Sequence, residues 1–148
     1  MADYSRQMEP NNEMISVIIP ASKDYQDKYL KECLSSIPDN CEPIIETWEI
    51  GKEKWTDSIN RGINKATGEY IMVLGIDDKL HNGIIDKLEK IIDGETDIYY
   101  GQLEFFGGRN GVMTPNKNFT VEDIKKNNQM YVTSLCRKQA VLDVGVVS

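Results

Sequence analysis

The chain has 148 residues, with 17 Lys and Arg against 24 Asp and Glu, so its formal net charge is −7. This acidity argues against nucleic-acid binding, which needs a basic surface to displace counterions from phosphates. No run approaches the roughly 20 apolar residues of a membrane span, and residues 1–13 lack the apolar core of a signal peptide. We therefore expect no membrane span and a cytoplasmic location.

The length suits a single domain. We expect residues 1–14 to form a flexible tail and residues 15–148 to form the domain. Cys33, Cys41 and Cys136 are odd in number and widely spaced, so they fit neither a disulfide framework nor a zinc site.

The first elements follow from hydrophobic patterning. Residues 15–19 form a β-branched run that Pro20 is expected to stop, which indicates a buried strand. Apolar residues at helical spacing predict a helix over residues 23–37. A second strand is expected around residues 44–45, within 43–50.

The middle of the chain carries the strongest patterns. One helical stripe, with Gly68 as the expected C-terminal cap, consists of Trp55, Ile59, Ile63 and Ala66. Residues 70–74 are apolar on both faces, which predicts a central strand. A helix is then predicted over residues 84–92, with Asn82 as its N-cap and Gly94 just past its end.

The later elements are less regular. Thr120 and Asp123 have the spacing of a capping box, which predicts a helix start. The remaining expected elements are a strand over residues 97–106, a turn over 107–111, an extended segment over 131–136 and a short helix that ends at Gly145.

Strands that alternate with helices are typical of an α/β sheet with helices on both faces. In such sheets, ligands bind beyond the carboxyl ends of the strands. Pro20, Ala21 and Ser22 follow the first strand, and Asp77 and Asp78 follow the central one. We expect these two groups to meet at one edge of the sheet.

Asp77 and Asp78 are the sharpest chemical feature of the sequence. Adjacent carboxylates repel each other, and a hard divalent cation bound by carboxylate and diphosphate oxygens would relieve that repulsion. Such a cation would also neutralise a leaving diphosphate. The alternative is a solvated turn in which both side chains bond to backbone N–H groups.

Several segments occur in an order that resembles the nucleotide-sugar-dependent glycosyltransferases of the GT-A fold, in particular family 2. The segments are residues 15–20 (ISVIIP), 29–37 (YLKECLSSI), 60–71 (NRGINKATGEYI), 74–78 (LGIDD) and 135–145 (LCRKQAVLDVG). The resemblance implies a three-layer α/β/α sandwich with a mostly parallel central sheet, the Rossmann-like GT-A fold. It also implies that the chain carries the donor-binding part of that fold without the acceptor part.

The resemblance implies roles for individual residues. Asp77 matches the last acid of the metal-binding Asp-x-Asp motif and is the expected ligand for Mn²⁺ or Mg²⁺. The residues implied to bind the nucleotide-sugar are Pro20, Ala21, Ser22, Glu46, Asn60, Asp77 and Asp78, with Gly62 on the same helix as Asn60.

The sequence departs from the family pattern at several positions. Gly75 stands where the first acid of Asp-x-Asp is expected, and Ile59 stands where an arginine usually precedes the matched Asn60. Arg61 is expected to compensate for that arginine. The stretch between Ile45 and Trp55 is too short for the usual third strand, and no acid aligns with the family's catalytic base.

The leading hypothesis is a glycosyltransferase that binds a nucleotide-sugar, a UDP-sugar above others, and transfers the sugar to a glycan or other acceptor hydroxyl with inversion. The alternative is a non-catalytic domain that binds a nucleotide-sugar or a protein partner. A third reading is an α/β assembly protein without a small ligand. A homodimer is expected to cover an exposed sheet edge or apolar patch.

Overall fold

The computed structural model describes residues 14–145, and strands and helices alternate along the chain from Ile15 to Tyr99. The strands are β1 (Ile15–Ser22), β2 (Cys41–Trp48), β3 (Tyr70–Val73), β4 (Ile98–Tyr99), β5 (Leu103–Glu104), β6 (Val112–Met113) and β7 (Leu135–Arg137). The helices are α1 (Gln26–Ser35), α2 (Trp55–Lys65), α3 (Ile84–Ile91), α4 (Val121–Lys126) and α5 (Lys138–Val144). Apart from Met14, the expected tail lies outside the described residues.

The main sheet has five strands in the order β2-β1-β3-β7-β4. β1 is parallel to both β2 and β3, whereas β7 is antiparallel to both β3 and β4. Four of the five strands therefore run in the same direction. Every residue of β1 is buried, as expected for the strand at the centre of the parallel pairs.

Helices cover both faces of this sheet. Apolar side chains of α1 and α3 pack on one face together with Ile15, Val17 and Ile19 of β1. Helix α2 and Val141 of α5 pack on the other face around Ile18. This confirms the predicted three-layer α/β/α arrangement. Within residues 14–145, none of the helices has the length and apolar character needed to cross a bilayer.

Pro20 does not end β1, contrary to the prediction from the sequence. Leu74 N donates to Ile18 O, and Lys23 N donates to Trp48 O. The backbone groups of successive β1 residues therefore face β3 and β2 alternately. The paired register with β3 ends at Ile18. Pro20 has no backbone N–H to donate, and it lies beyond the point where β1 pairs with β3. Proline is tolerated in a strand at such a position because no hydrogen bond of the sheet is lost.

Two predictions for residues 82–106 are wrong. Helix α3 begins after Gly83, whose φ of 83° places it in the left-handed region, and no side chain caps the helix, so Asn82 is not the cap. The expected strand over residues 97–106 is two short strands in different sheets, because β4 pairs with β7 whereas β5 pairs with β6. Partner availability, rather than apolar content, decides where a strand ends.

The capping box at α4 is confirmed. Asp123 N donates to Thr120 Oγ1 at 3.2 Å, and Thr120 N donates to Asp123 Oδ2 at 2.8 Å. The short final helix and its end at Gly145 are confirmed as well. Both features depend on contacts within a few residues, which a sequence displays directly.

The loop after α3 contains a carboxylate that gathers several donors. Asp93 accepts hydrogen bonds from Thr96 N at 2.8 Å, Thr96 Oγ1 at 2.7 Å, Glu95 N at 2.9 Å and Tyr99 OH at 2.8 Å. The bonds from Thr96, followed by those from Glu95 and Tyr99, hold the pKa of Asp93 well below its usual value. The bond from Tyr99 connects the end of β4 to this loop.

We expect Asp93→Asn to reduce the change in the free energy of unfolding between neutral and acidic pH. Because the folded state lowers the pKa of Asp93, its stabilisation is fully present above the unfolded pKa of about 3.9 and is lost as pH falls towards the folded value. The variant should therefore be less stable than wild type at pH 7, and the difference should shrink below about pH 4. Urea unfolding at several pH values measures this, and a difference that does not change with pH would contradict it.

Candidate functional site

The structure brings the two predicted groups to one edge of the sheet. β1 and β3 are adjacent and parallel, with Ile18 opposite Val73. Pro20, Ala21 and Ser22 therefore end β1 at the same carboxyl edge from which the chain leaves β3 towards Asp77 and Asp78. This is the edge at which parallel α/β sheets bind ligands.

Ser22 ends β1 with a buried hydroxyl. The residue is only 4% exposed, and its Oγ has no hydrogen-bond partner among the described residues. Its carbonyl oxygen accepts from Tyr25 N at 3.0 Å. Buried polar atoms are almost always paired, so the unpaired hydroxyl indicates a place for a water molecule or a ligand atom at this edge.

Asp77 and Asp78 lie in a turn and are both exposed. Although Asp78 is exposed as a residue, the protein partly covers its carboxyl, and this partial burial, followed by the charge of Asp77, raises the pKa of Asp78. No ion pair joins either carboxylate to a cation within residues 14–145. The adjacent Lys79 bonds instead to Glu32, at 3.0 Å, and lies over the ring of Phe106. The acid pair therefore carries uncompensated negative charge at the sheet edge.

Gly75 explains where these carboxylates point. A Cβ atom built on Gly75 would lie 2.7 Å from Asp78 Oδ2 and 3.4 Å from Asp77 Oδ1. Both carboxylates thus approach the space that a side chain at residue 75 would occupy. The glycine that departs from the family motif makes room for the acid pair that follows it.

A cleft of about 250 Å³ adjoins the acid pair. It is lined by Tyr29, Glu32, Cys33, Ile76, Asp77, Asp78, Lys79, Phe106 and Gly107. Burial, followed by the charges of Asp78 and Asp77, raises the pKa of the Cys33 thiol to about 11. Because the thiolate is the nucleophilic form, this shift disfavours the reactive form of Cys33.

Glu46 lies on β2 and faces α2, with its side chain 5% exposed. Arg61 Nε donates to its Oε1 at 3.0 Å, and Lys65 Nζ donates to its Oε2 at 2.6 Å. Burial alone would raise the pKa of Glu46, but the bonds from Lys65 and Arg61 outweigh it and hold the pKa below its usual value. Both oxygens of Glu46 are therefore engaged within the fold, and its contact with a nucleoside stays a prediction.

Arg61 is engaged in the same network. Besides Glu46, it donates to Glu53 Oε1 and, at 2.9 Å, to the carbonyl oxygen of Thr47. The Arg61 guanidinium thus pairs with two carboxylates and also bonds to the backbone of β2 at Thr47. Arg61 therefore has a structural role. Its expected role in place of the family arginine at the position of Ile59 stays a prediction.

Helix α2 carries the other matched residues. Asn60 is half-buried there. Gly62 faces β1, and a Cβ built on it would overlap the side chain of Ile18. The glycine therefore allows α2 to approach the sheet closely, and Arg61 on the same helix bonds to Glu46 and Thr47 near the end of β2.

Sequence reasoning missed Gln26 and Thr47. Gln26 Nε2 donates to Ala21 O at 3.1 Å and to Thr47 Oγ1 at 2.7 Å. The amide therefore bridges the ends of β1 and β2, where Ala21 and Thr47 are partners in the parallel register. No local pattern signals this bridge, because its groups come from three separate elements.

Among residues 14–145, no group of three or more His, Cys, Asp or Glu side chains has the arrangement needed to hold a metal ion. A cation bound here would need further ligands from a substrate in addition to Asp77 and Asp78. Mg²⁺ bound by one or two carboxylates and by substrate phosphates is such a case.

The model of the family described as glycosyl transferase family 2 matches residues 49–140 of the chain. Two solved structures of Staphylococcus aureus TarS, residues 1–349, are similar in fold, and their bound ligands are UDP in one and UDP-GlcNAc in the other. Each is 16% identical over 88% of this chain, with TM-scores of 0.66 and 0.67.

The chain spans about half the length of these solved structures, 48% and 47%. No curated protein matches the sequence. At this level of identity the structural likeness establishes the fold, and it confirms the predicted mostly parallel GT-A sheet.

Proposed function

The chain belongs to glycosyl transferase family 2, and on this premise we propose that it binds a nucleotide-sugar with a divalent cation and transfers the sugar to an acceptor hydroxyl with inversion. One observation carries the proposal. The carboxylates of Asp77 and Asp78, which form no ion pair with any residue from 14 to 145, lie at the carboxyl edge of the sheet, beside the buried end of β1. A diphosphate is repelled by this negatively charged edge unless a cation lies between them. The proposal therefore includes both the divalent cation and the nucleotide-sugar.

The residues present fit Mn²⁺ or Mg²⁺. Asp77, assisted by Asp78, would hold the cation over the space left open by Gly75. When bound there, the cation supplies positive charge that neutralises the leaving diphosphate. Diphosphate oxygens would complete the coordination, because the described residues alone do not form a full ligand set.

The remaining site residues bind the donor. Pro20, Ala21 and Ser22 would line the nucleoside pocket, with the Ser22 hydroxyl as a hydrogen-bonding group. Asn60 would support the pocket from α2. Transfer also needs a base that takes the proton of the acceptor hydroxyl, and no residue of this chain is assigned to that role. A UDP-sugar donor, a glycan acceptor and a homodimer stay predictions.

A non-catalytic donor-binding domain is the second candidate. Gly75 favours it, because the site has one carboxylate fewer than the family motif, and so does the unassigned base. The third reading, an assembly protein, predicts that nucleotides do not stabilise the fold at all.

Titration with UDP, with and without Mn²⁺, tests the proposal. We expect Mn²⁺ to strengthen UDP binding and UDP with Mn²⁺ to raise the melting temperature, because a ligand specific for the native state stabilises it. Turnover of a panel of sugar donors then separates the candidates. Turnover supports the enzyme, and metal-dependent binding without turnover supports the binding domain. If no nucleoside diphosphate binds or stabilises the protein, the proposal is wrong.

A further inference from the structure

Lys79 directly follows the acid pair in the chain, yet its ammonium bonds elsewhere. We propose that Glu32 and Phe106 are positioning residues: they hold this ammonium away from the acid pair, which therefore stays available to a divalent cation. The inference rests on the proposed function, because it concerns the cation that the acid pair is proposed to bind. It adds two residues that act on the site without contacting the cation.

Two groups hold the ammonium of Lys79. Its Nζ lies 3.0 Å from Glu32 Oε1 and 4.6 Å from the centre of the Phe106 ring. Both a carboxylate and the face of an aromatic ring attract an ammonium. Because Glu32 lies on α1 and Phe106 follows β5, the position of the ammonium depends on two elements that are distant in sequence.

The acid pair is a competing partner for the same ammonium. Asp77, Asp78 and Lys79 line one cleft together with Glu32 and Phe106, so their side chains share one open space. Lysine has a flexible four-carbon stem with rotatable donors, and two adjacent carboxylates attract a cation more strongly than one does. The structure nevertheless places the ammonium on Glu32. The partner that Lys79 takes therefore determines whether the acid pair stays open.

The backbone on either side of Lys79 is held, so a change of partner involves its side chain alone. Asp78 N donates to Gly75 O at 3.0 Å, and Leu80 N donates to Ser36 Oγ at 3.0 Å. Leu80 is also buried in the core. Lys79 itself is exposed, which leaves room for its side chain to rotate.

Release of this ammonium would place it in competition with the divalent cation. An ammonium on the acid pair neutralises part of its charge and occupies the space in which the cation would be bound. The apparent affinity for the cation is then reduced in proportion to the fraction of molecules in which the pair is open. Exposed ion pairs and cation–π contacts are individually weak, so we expect the loss of either partner to have an effect of about threefold.

Calorimetric titration of the protein with UDP at several Mn²⁺ concentrations tests the inference. Phe106→Leu removes the ring without a change of charge, and it should weaken Mn²⁺ binding in the presence of UDP by about threefold. Glu32→Gln should weaken it at least as much. Metal-free UDP binding should not weaken in either variant, whereas damage to the fold would weaken both. Melting temperatures identify any variant that fails to fold.

Lys79→Met provides the background that isolates the mechanism. This variant has no ammonium to release, so it should bind Mn²⁺ at least as tightly as wild type does. Glu32→Gln or Phe106→Leu added to it should lose most of its effect, whereas a direct effect of the Glu32 charge would persist. The matched control is Glu122→Gln, which breaks a similar exposed ion pair with Lys125 Nζ, at 3.1 Å on α4. It should leave Mn²⁺ affinity at the wild-type value.

The outcomes separate this inference from the proposed function. Losses of Mn²⁺ affinity that disappear in the Lys79→Met background support the inference. If Phe106→Leu and Glu32→Gln bind Mn²⁺ as wild type does, or lose affinity equally with and without Lys79, the positioning role is wrong although the metal site stands. If Lys79→Met itself weakens Mn²⁺-dependent binding of UDP, Lys79 assists the ligand rather than competing with the cation, and the inference is overturned. If wild type shows no Mn²⁺-dependent binding of UDP, the proposed function fails and this inference fails with it.

Discussion

Replacing Asp77 with asparagine is expected to remove the metal-dependent part of UDP binding. Asparagine has nearly the same shape but no charge, so the site loses a hard anionic ligand while the turn retains its geometry. Loss of a partner that only orients a metal ligand costs 10–100-fold in affinity. Loss of a ligand should therefore weaken UDP binding in the presence of Mn²⁺ by about a hundredfold and leave metal-free binding unchanged.

Two further variants make this result specific. Asp78→Asn should produce a smaller loss, because Asp78 assists the site over Gly75 rather than matching the last acid of the family motif. Asp39→Asn makes the same chemical change at an exposed position just before β2, at the opposite edge of the sheet, and should behave as wild type. The ligand assignment is wrong if metal-dependent binding survives Asp77→Asn unchanged.

Gly68→Ala is expected to destabilise the fold by about 3 kcal/mol, at the upper end of the cost of overpacking. A Cβ atom on Gly68 would lie 2.7 Å from Ser16 Oγ, 2.8 Å from Ser16 N and 2.9 Å from Met14 O. Two of these atoms are backbone atoms at the start of β1, which cannot move without disturbing the central strand. The variant would also strain the bond from Gly68 N to Ser16 Oγ, now 2.9 Å.

Urea unfolding of Gly68→Ala and of a matched glycine variant measures this effect. Gly101→Ala is the control, since a Cβ atom there meets nothing within 4 Å and the backbone is not in the left-handed region. Its stability should stay within about 0.5 kcal/mol of wild type, as for most surface changes. Equal losses in the two variants would mean that contact with Ser16 does not explain the need for glycine at residue 68.

Gly68 also shows why local patterns mislead. A glycine shortly after a helical stripe predicts a C-terminal cap, but α2 ends at Lys65 and its C-cap is Ala66 in an extended conformation. Gly68 is needed because the chain passes against Ser16, 52 residues away in the sequence. The pattern around a glycine does not reveal a requirement that a distant strand imposes.

The features that could be predicted from the sequence are those that depend on interactions between residues close together in the chain. The β-branched run of β1, the doubly apolar run of β3, the helical stripes and the Thr120 capping box each depend on residues a few positions apart. The same is true of Asp77 and Asp78, because their place directly after an apolar strand is enough to predict a ligand-binding edge.

The contacts at that edge, in contrast, follow from the three-dimensional arrangement, which determines which polar groups of residues 14–145 are bonded to other groups and which are not. Glu46 was expected to meet a nucleoside, yet Arg61 and Lys65 bind both of its oxygens from a helix 15 and 19 residues away. No pattern in the sequence indicates Gln26, yet its amide joins β1 to β2. The register of parallel strands and the approach of α2 at Gly62 determine these contacts, because hydrogen bonds between separate elements depend on distances that sequence spacing does not specify.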